Sequence, residues 1–329
     1  IADILFYFYI KTVVTASGYS SGSLSKLINR YYIIRTYLKN QDAYGISFIL
    51  NILNYITNVA AVFSLYVFIH NIVFKSFKKR DFFHFVIVLL WIIHSILNSS
   101  RGDFLILLAE AAYLLYFFWN MYFGWDNTVN KKIMKWGLRS LILFLIIFVV
   151  LAVVLGRRES LSDVNVLDYL TIYFSAGIRN FDLFIKEPVA SSTWGHETFF
   201  PIKRTLYNYF GVGELYSIAL EYRTIKGQNM GNIYTAFRRY LSDFGILGLV
   251  TLPGFLGFIF TYAFTKIRNQ LERGTVGFGL LLFSYLSSSI FYMPIEDHFF
   301  IVDFSLNGLF KILVLHVFYI IFIKKKIKL

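Results

Sequence analysis

In residues 228–248, QNMGNIYTAFRRYLSDFGILG, a polar run carrying two adjacent arginines leads straight into an apolar helix. At a membrane boundary polar atoms must be satisfied by protein, water or substrate, so Asn232, Tyr234, Arg238, Arg239 and Asp243 mark a site for something anionic. A guanidinium offers a rigid fork of donors that matches phosphate oxygens in two-point contacts. Tyr234 precedes Arg238 by about one turn, and no local acid neutralises Arg238. Arg239 and Asp243 are four residues apart, so Asp243 either bridges Arg239 along the helix or acts in catalysis. Gly245 and Gly248 read as small residues for close helix packing.

Other candidates lie elsewhere in the chain. Arg101, in SSRGDFLILLAE, stands at the mouth of an earlier helical hairpin, and Asp103 and Glu110 follow it seven residues apart on one helix face. Glu110 then lies about two turns, ~10 Å, along that helix. It is either a functional carboxylate or the partner of Lys11, Lys311 or a histidine. His196 and Glu197 sit beside Lys203 and Arg204 on a turn-rich, aromatic platform expected to face outward, and either could take a proton from an attacking hydroxyl. Glu296, Asp297 and His298, in the turn IEDH, offer the same chemistry or are simply solvated turn residues. With no cysteine and six histidines at scattered spacings, no metal site is expected.

The elements that hold these residues are membrane helices. At 329 residues, 57% hydrophobic and 20% aromatic, the chain is too apolar for a soluble domain of its size. Its net charge of +13 comes in short clusters between apolar runs, as at an anionic cytoplasmic leaflet, which argues against nucleic acid. The apolar segments are residues 1–16, 46–74, 82–98, 104–123, 140–156, 243–265, 275–293 and 303–323, with a short amphipathic helix expected within 17–45. The chain opens on Ile1 inside an apolar run, so this helix count reads as a lower bound.

Charge alternation sets the orientation. Clusters at 75–80, 131–139, 266–273 and 324–328 carry 15 Lys and Arg, whereas the opposite turns, 98–103 and 294–302, carry only Arg101. The four clusters are therefore expected in the cytoplasm and the long polar segment 157–240 outside. That segment also brings Arg157, Arg158, Arg179, Arg204 and Arg223 to the outer side. Within it, Leu167, Leu170, Phe174, Ile178 and Phe181 fall on roughly one helical face, as in a helix lying on the membrane surface, and Pro188 ends that helix. The expected architecture is all-α and polytopic: transmembrane helices in 1–156, an extracytoplasmic loop with amphipathic helices in 157–240, and transmembrane helices in 241–329.

GNIYTAFRRYLSDFGILG resembles the Asn-x-Tyr-Thr, Arg and Asp-Phe-Gly pattern of the Wzy-type O-antigen and capsule polymerases of bacteria, and SSRGDFL resembles their earlier hairpin. The resemblance implies a GT-C-like, metal-independent glycosyltransferase with no cofactor. It would join polyprenyl-diphosphate-linked oligosaccharide repeat units on the outer face of the inner membrane, with a chain-length regulator as a further partner. Arg101 and Arg238 match the family pattern; many relatives have Arg-Pro where this chain has Arg238-Arg239, which leaves open which of the two faces the substrate. His196 keeps an O-antigen ligase as an alternative. A lipid-linked glycan flippase is the non-enzymatic one, but would distribute its ionisable residues along a central pathway.

Overall fold

A computed structural model describes residues 1–19, 22–37, 47–74, 76–126, 131, 135, 139, 166–188, 194–214, 220–225, 228–273 and 277–324. Among them, five helices are long and apolar enough to cross a membrane: Phe48–Val73, Lys79–Leu97, Gly102–Phe123, Ala236–Glu272 and Leu306–Lys324. A shorter apolar helix spans Phe278–Tyr292. The chain is a helical membrane protein. The span expected at 140–156, and with it Arg157 and Arg158, lies outside the described residues.

The chain forms two compact units, Ile1–Asn165 with Val314–Leu329, and Val166–Leu313. In the first, α1 (Ala2–Ala16), α2 (Leu24–Tyr37), α3 (Phe48–Val73), α4 (Phe82–Leu97) and α5 (Arg101–Phe123) follow one another. Phe6, Ile10 and Val14 of α1 interlock with Leu27, Tyr31 and Ile34 of α2, Leu50 of α3 and Leu97 of α4. An unpaired polar group is expensive in this apolar setting, and a buried histidine here finds a partner. His94 is tied to Asp3 at 2.9 Å and lies between the rings of Trp91 and Phe6. The tight start of α5 comes from Ser100, whose hydroxyl accepts the Asp103 N–H. Arg101 is the first residue of α5, with its side chain outside the described part, and Glu110 is buried midway along the helix.

The second unit contains α6 (Val166–Lys186), α7 (Phe200–Phe210), a hairpin of β1 (Arg223–Ile225) and β2 (Gln228–Gly231), α8 (Ala236–Glu272), α9 (Phe278–Tyr292) and the start of α10 (Leu306–Phe318). The antiparallel hairpin modifies the all-α expectation, with a register shift between Arg223 and Thr224. α6 ends at Lys186, ahead of Pro188, as expected from the sequence, but its buried face differs from the expected stripe. Ala176, Asn180 and Phe184 point inward while Ile178 is exposed, because this face packs on the hairpin and the start of α8.

α8 is interrupted. Gly245 has φ +63° and ψ −156°, a conformation that is essentially restricted to glycine, so the helix breaks there and resumes. Past the break the chain folds close upon itself: a Cβ on Gly248 would collide with the Tyr240 carbonyl oxygen and the Phe244 side chain. The two glycines therefore shape a kink within one chain segment, where helix-to-helix packing was expected.

Candidate functional site

The first turn of α8 carries the site. Thr235 caps the helix with extended backbone, and Arg238 and Arg239 follow immediately, both buried. Arg238 is held from three sides. One terminal nitrogen meets the Glu197 carboxylate and the other the Glu221 carboxylate at 2.9 Å, while the guanidinium lies over the rings of Phe184 (4.5 Å) and Tyr234 (5.4 Å). The expectation that no acid neutralises Arg238 is thus corrected: both acids come from the segment preceding α8, 41 and 17 residues away in sequence.

Around this pair the hairpin builds a second layer. Arg223 bridges Glu187 at 3.0 Å and Glu221 at 3.4 Å and donates to the Tyr234 hydroxyl at 3.3 Å. Burial alone would lift the Glu221 carboxyl, but its own backbone N–H, the Arg238 guanidinium and the Tyr234 hydroxyl outweigh it and hold it below the usual carboxylate range. The Tyr234 hydroxyl is pushed up to about 12, chiefly by burial. Asn180 of α6 fixes the hairpin's exit, its amide reaching the carbonyls of Ile233 at 2.9 Å, Gly231 at 3.4 Å and Met230 at 3.5 Å.

Glu197 sits in a turn that Asp243 pins down. The Asp243 carboxylate accepts the Glu197 N–H at 3.1 and 3.0 Å and the Thr198 N–H at 2.6 Å, a helix-cap geometry made across 45 and 46 residues of sequence. Asp243 therefore anchors the turn, a role its spacing from Arg239 did not announce. From the pinned turn, Glu197 takes a hydrogen bond from Ser242 at 3.1 Å and lies 3.7 Å from Arg239. His196 and Glu197 were expected on an exposed platform, but they are only 7% and 8% exposed. The turn folds inward because its backbone donors find a buried acceptor in Asp243.

Arg239 also acts on a second buried acid. Asp297, 1% exposed, which sets aside the solvated one of its two readings, accepts the Phe300 N–H at 3.1 Å and lies within electrostatic reach of Arg239. Burial pushes the Asp297 carboxyl up to about 7, against the pull of the Phe300 N–H and Arg239. The Tyr240 hydroxyl stands beside it without a well-formed hydrogen bond. Among the guanidinium nitrogens of this layer, Nε of Arg238 and Nη1 of Arg239 are buried without an acceptor in hydrogen-bond range. The latter is close enough to Glu197 for an ion pair only.

Of the residues singled out from the sequence, the structure brings together Arg238, Arg239, Asp243, Glu197, Tyr234 and, one position from Glu197, His196. Asn232 is exposed on the turn before α8, and Arg204 is exposed on α7. Lys203 instead folds onto the Trp194 carbonyl at 2.9 Å. Sequence reasoning passed over Glu221, Phe184, Asn180 and Ser242. Only Glu221 had a visible signal, as one of the few acids in the polar stretch before the paired arginines. Among the described residues, no three His, Asp or Glu side chains gather as a metal centre requires. Comparison with models of known protein families, with curated proteins and with solved structures finds no match to this chain.

Proposed function

We propose that this protein is a glycosyltransferase that polymerises polyprenyl-diphosphate-linked oligosaccharide repeat units into a surface polysaccharide, acting on the outer face of a bacterial inner membrane. The observation that carries the reading is the buried pair Arg238 and Arg239 at the head of a membrane helix, each with one guanidinium nitrogen that has no hydrogen-bond acceptor. A diphosphate has the charge and the oxygens to take up such donors. Glu197 would then be the resident counter-ion of both guanidinium groups, displaced as the diphosphate enters.

The chemistry follows from that placement. A hydroxyl of the acceptor repeat unit attacks the anomeric carbon of the donor chain. The bond from that carbon to the diphosphate oxygen breaks, and the electron pair leaves with the polyprenyl diphosphate. Fixed cations aimed at the departing oxygens stabilise the charge that develops in the transition state. Arg101 and Arg204 are the further phosphate ligands expected from the sequence, and a GT-C-like helical arrangement is part of the same proposal.

Reconstitution tests it. Liposomes carrying the wild-type protein and only the lipid-linked repeat unit are expected to form long glycans and to release polyprenyl diphosphate stoichiometrically, equally in the presence of EDTA. Glycan transfer that needs a lipid-core acceptor would indicate a ligase, and movement of the lipid without bond formation would indicate a flippase. Abolition by EDTA would overturn the use of arginines in place of a metal.

A further inference from the structure

The turn after α9 reaches the same end of the second unit as the paired arginines. The Ala236 N–H, opening α8, donates to the Met293 carbonyl at 2.9 Å. On the other side, Gly177 of α6 lies so close to this turn that a Cβ there would stand 2.5 Å from the Pro294 carbonyl oxygen. Three residues further on, Asp297 lies within electrostatic reach of Arg239, and Phe300 packs on Tyr240 (5.9 Å) and on Phe199 beside the Glu197 turn (5.6 Å). His298 is thus carried into the neighbourhood of Arg239 by contacts on both sides of it in the chain.

His298 is also oriented. Its Nδ1 lies 3.1 Å from the Ser289 hydroxyl and 3.6 Å from the Asp303 carboxylate, and Ser289 in turn donates to Asp303. Ser289 and Asp303 are buried, while the imidazole keeps 14% of its surface exposed. Asp303 reaches back to His298 because Phe299–Asp303 winds as a π-helix, a rare turn that recurs at functional sites. This is the arrangement of a base held by a carboxylate, with one ring nitrogen fixed and the other left for a reacting proton. A serine nucleophile is not implied, since Ser289 and Asp303 both lie on the Nδ1 side.

We propose that His298 is the general base of the transfer reaction, with Asp303 and Ser289 as positioning residues. This rests on the glycosyltransferase reading above. As the acceptor hydroxyl oxygen bonds to the anomeric carbon, its proton passes to Nε2 of His298, while the diphosphate leaves with the electron pair of the broken bond. Charged groups around the imidazole are Asp303 on its far side, with Glu296 and Asp297 next to it in the turn and Arg239 within electrostatic reach of Asp297. Glu197, a further carboxylate near the arginines, is taken up by contacts to Arg238, Arg239 and Ser242.

The test uses the full-length protein in liposomes with the lipid-linked repeat unit, measuring polyprenyl diphosphate release and, separately, binding of the same lipid. His298→Gln is expected to bind the lipid as the wild type does and to lose turnover by ~100-fold or more, the scale of a lost general base. Turnover within threefold of the wild type would overturn the proposal. If His298→Gln loses binding as well, His298→Gly with added imidazole decides. Restored turnover supports the base, since a tie that merely held the π-helix would not respond, and no restoration overturns it. Asp303→Asn is expected to lower kcat with KM little changed. A wild-type protein that releases no polyprenyl diphosphate would sink the glycosyltransferase reading and this proposal together, whereas an active His298→Gln sinks only this one.

Discussion

Arg238 shows how strongly context governs a single side chain. Its two terminal nitrogens meet Glu197 and Glu221, and its removal deprives the nearly buried Glu197 carboxylate, its side chain 11% exposed, of its nearest cation. Breaking a buried pair by deleting one partner costs about 3–5 kcal/mol. Arg238→Ala is therefore expected to lower the thermal unfolding midpoint in detergent sharply, and Arg238→Ala with Glu197→Gln to recover part of that loss. Arg238→Lys keeps the charge without the fork, so it should stay folded while polymer formation falls well below that of Arg239→Lys. A midpoint unchanged in Arg238→Ala would show that the pair is not buried in the membrane-embedded protein. At Asp297 the sign can be worked out for pH. Its folded carboxyl titrates at about 7, above the ordinary 3.8, so between these values the folded state holds a proton that the unfolded state has released. Stability from this group thus falls as pH rises from about 4 to about 7. Asp297→Asn keeps an acceptor for the Phe300 N–H and should flatten that slope in unfolding midpoints measured across the window. An unaltered slope would assign it to other groups.

At the scale of elements, the site depends on a few close approaches between segments far apart in sequence. Gly177 lets α6 meet the Pro294 carbonyl, so Gly177→Ala should push α6 and the 293–298 turn apart. Turnover is then expected to fall although no residue facing the arginines has changed, and proteolytic sensitivity of the turn should rise. Wild-type turnover and protease resistance would show that the two segments yield freely. Gly245 makes a different demand, because nothing lies within 4 Å of where its Cβ would be and backbone conformation alone excludes a side chain. Gly245→Ala is expected to cost about 1–3 kcal/mol. Straightening of α8 would also move Asp243 relative to the Glu197 and Thr198 N–H groups it holds. α7 contributes an exposed aromatic face, with Tyr209 74%, Phe210 71% and Tyr207 43% exposed. Aromatic rings with a polar tip suit the membrane–water boundary.

For the whole molecule, orientation in the membrane is the testable property. The clusters of Lys and Arg alternate with turns that carry almost none, from which α7 is expected outside and the end of the last helix in the cytoplasm. Single cysteines at Tyr209 and Lys324, both exposed positions in a chain without cysteine of its own, can be labelled with an impermeant thiol reagent on intact cells. Tyr209→Cys is expected to react and Lys324→Cys to react only after permeabilisation. The opposite pattern would put the arginine site on the cytoplasmic side and remove the basis for an extracytoplasmic polymerase.

Hydropathy and charge are local sums, and this is why helices, their approximate limits and the expected orientation were readable from the sequence: α3, α4 and α5 lie within a few residues of the apolar runs that announced them, while α8 takes in the paired arginines ahead of its run. The paired arginines were equally visible, since two cations at the head of an apolar helix need no fold to be noticed. Their partners were not. Glu197, Glu221 and Phe184 carry no mark in one dimension that assigns them to Arg238, and Asp243 looked like a neighbour of Arg239 because sequence spacing exposes only contacts along a helix. Whether His196 and Glu197 face water or the interior depended on where the N–H groups of their turn found an acceptor, 45 and 46 residues away. Burial and ion pairing are properties of chain segments brought together, so the tertiary structure alone decided which charges of this protein meet.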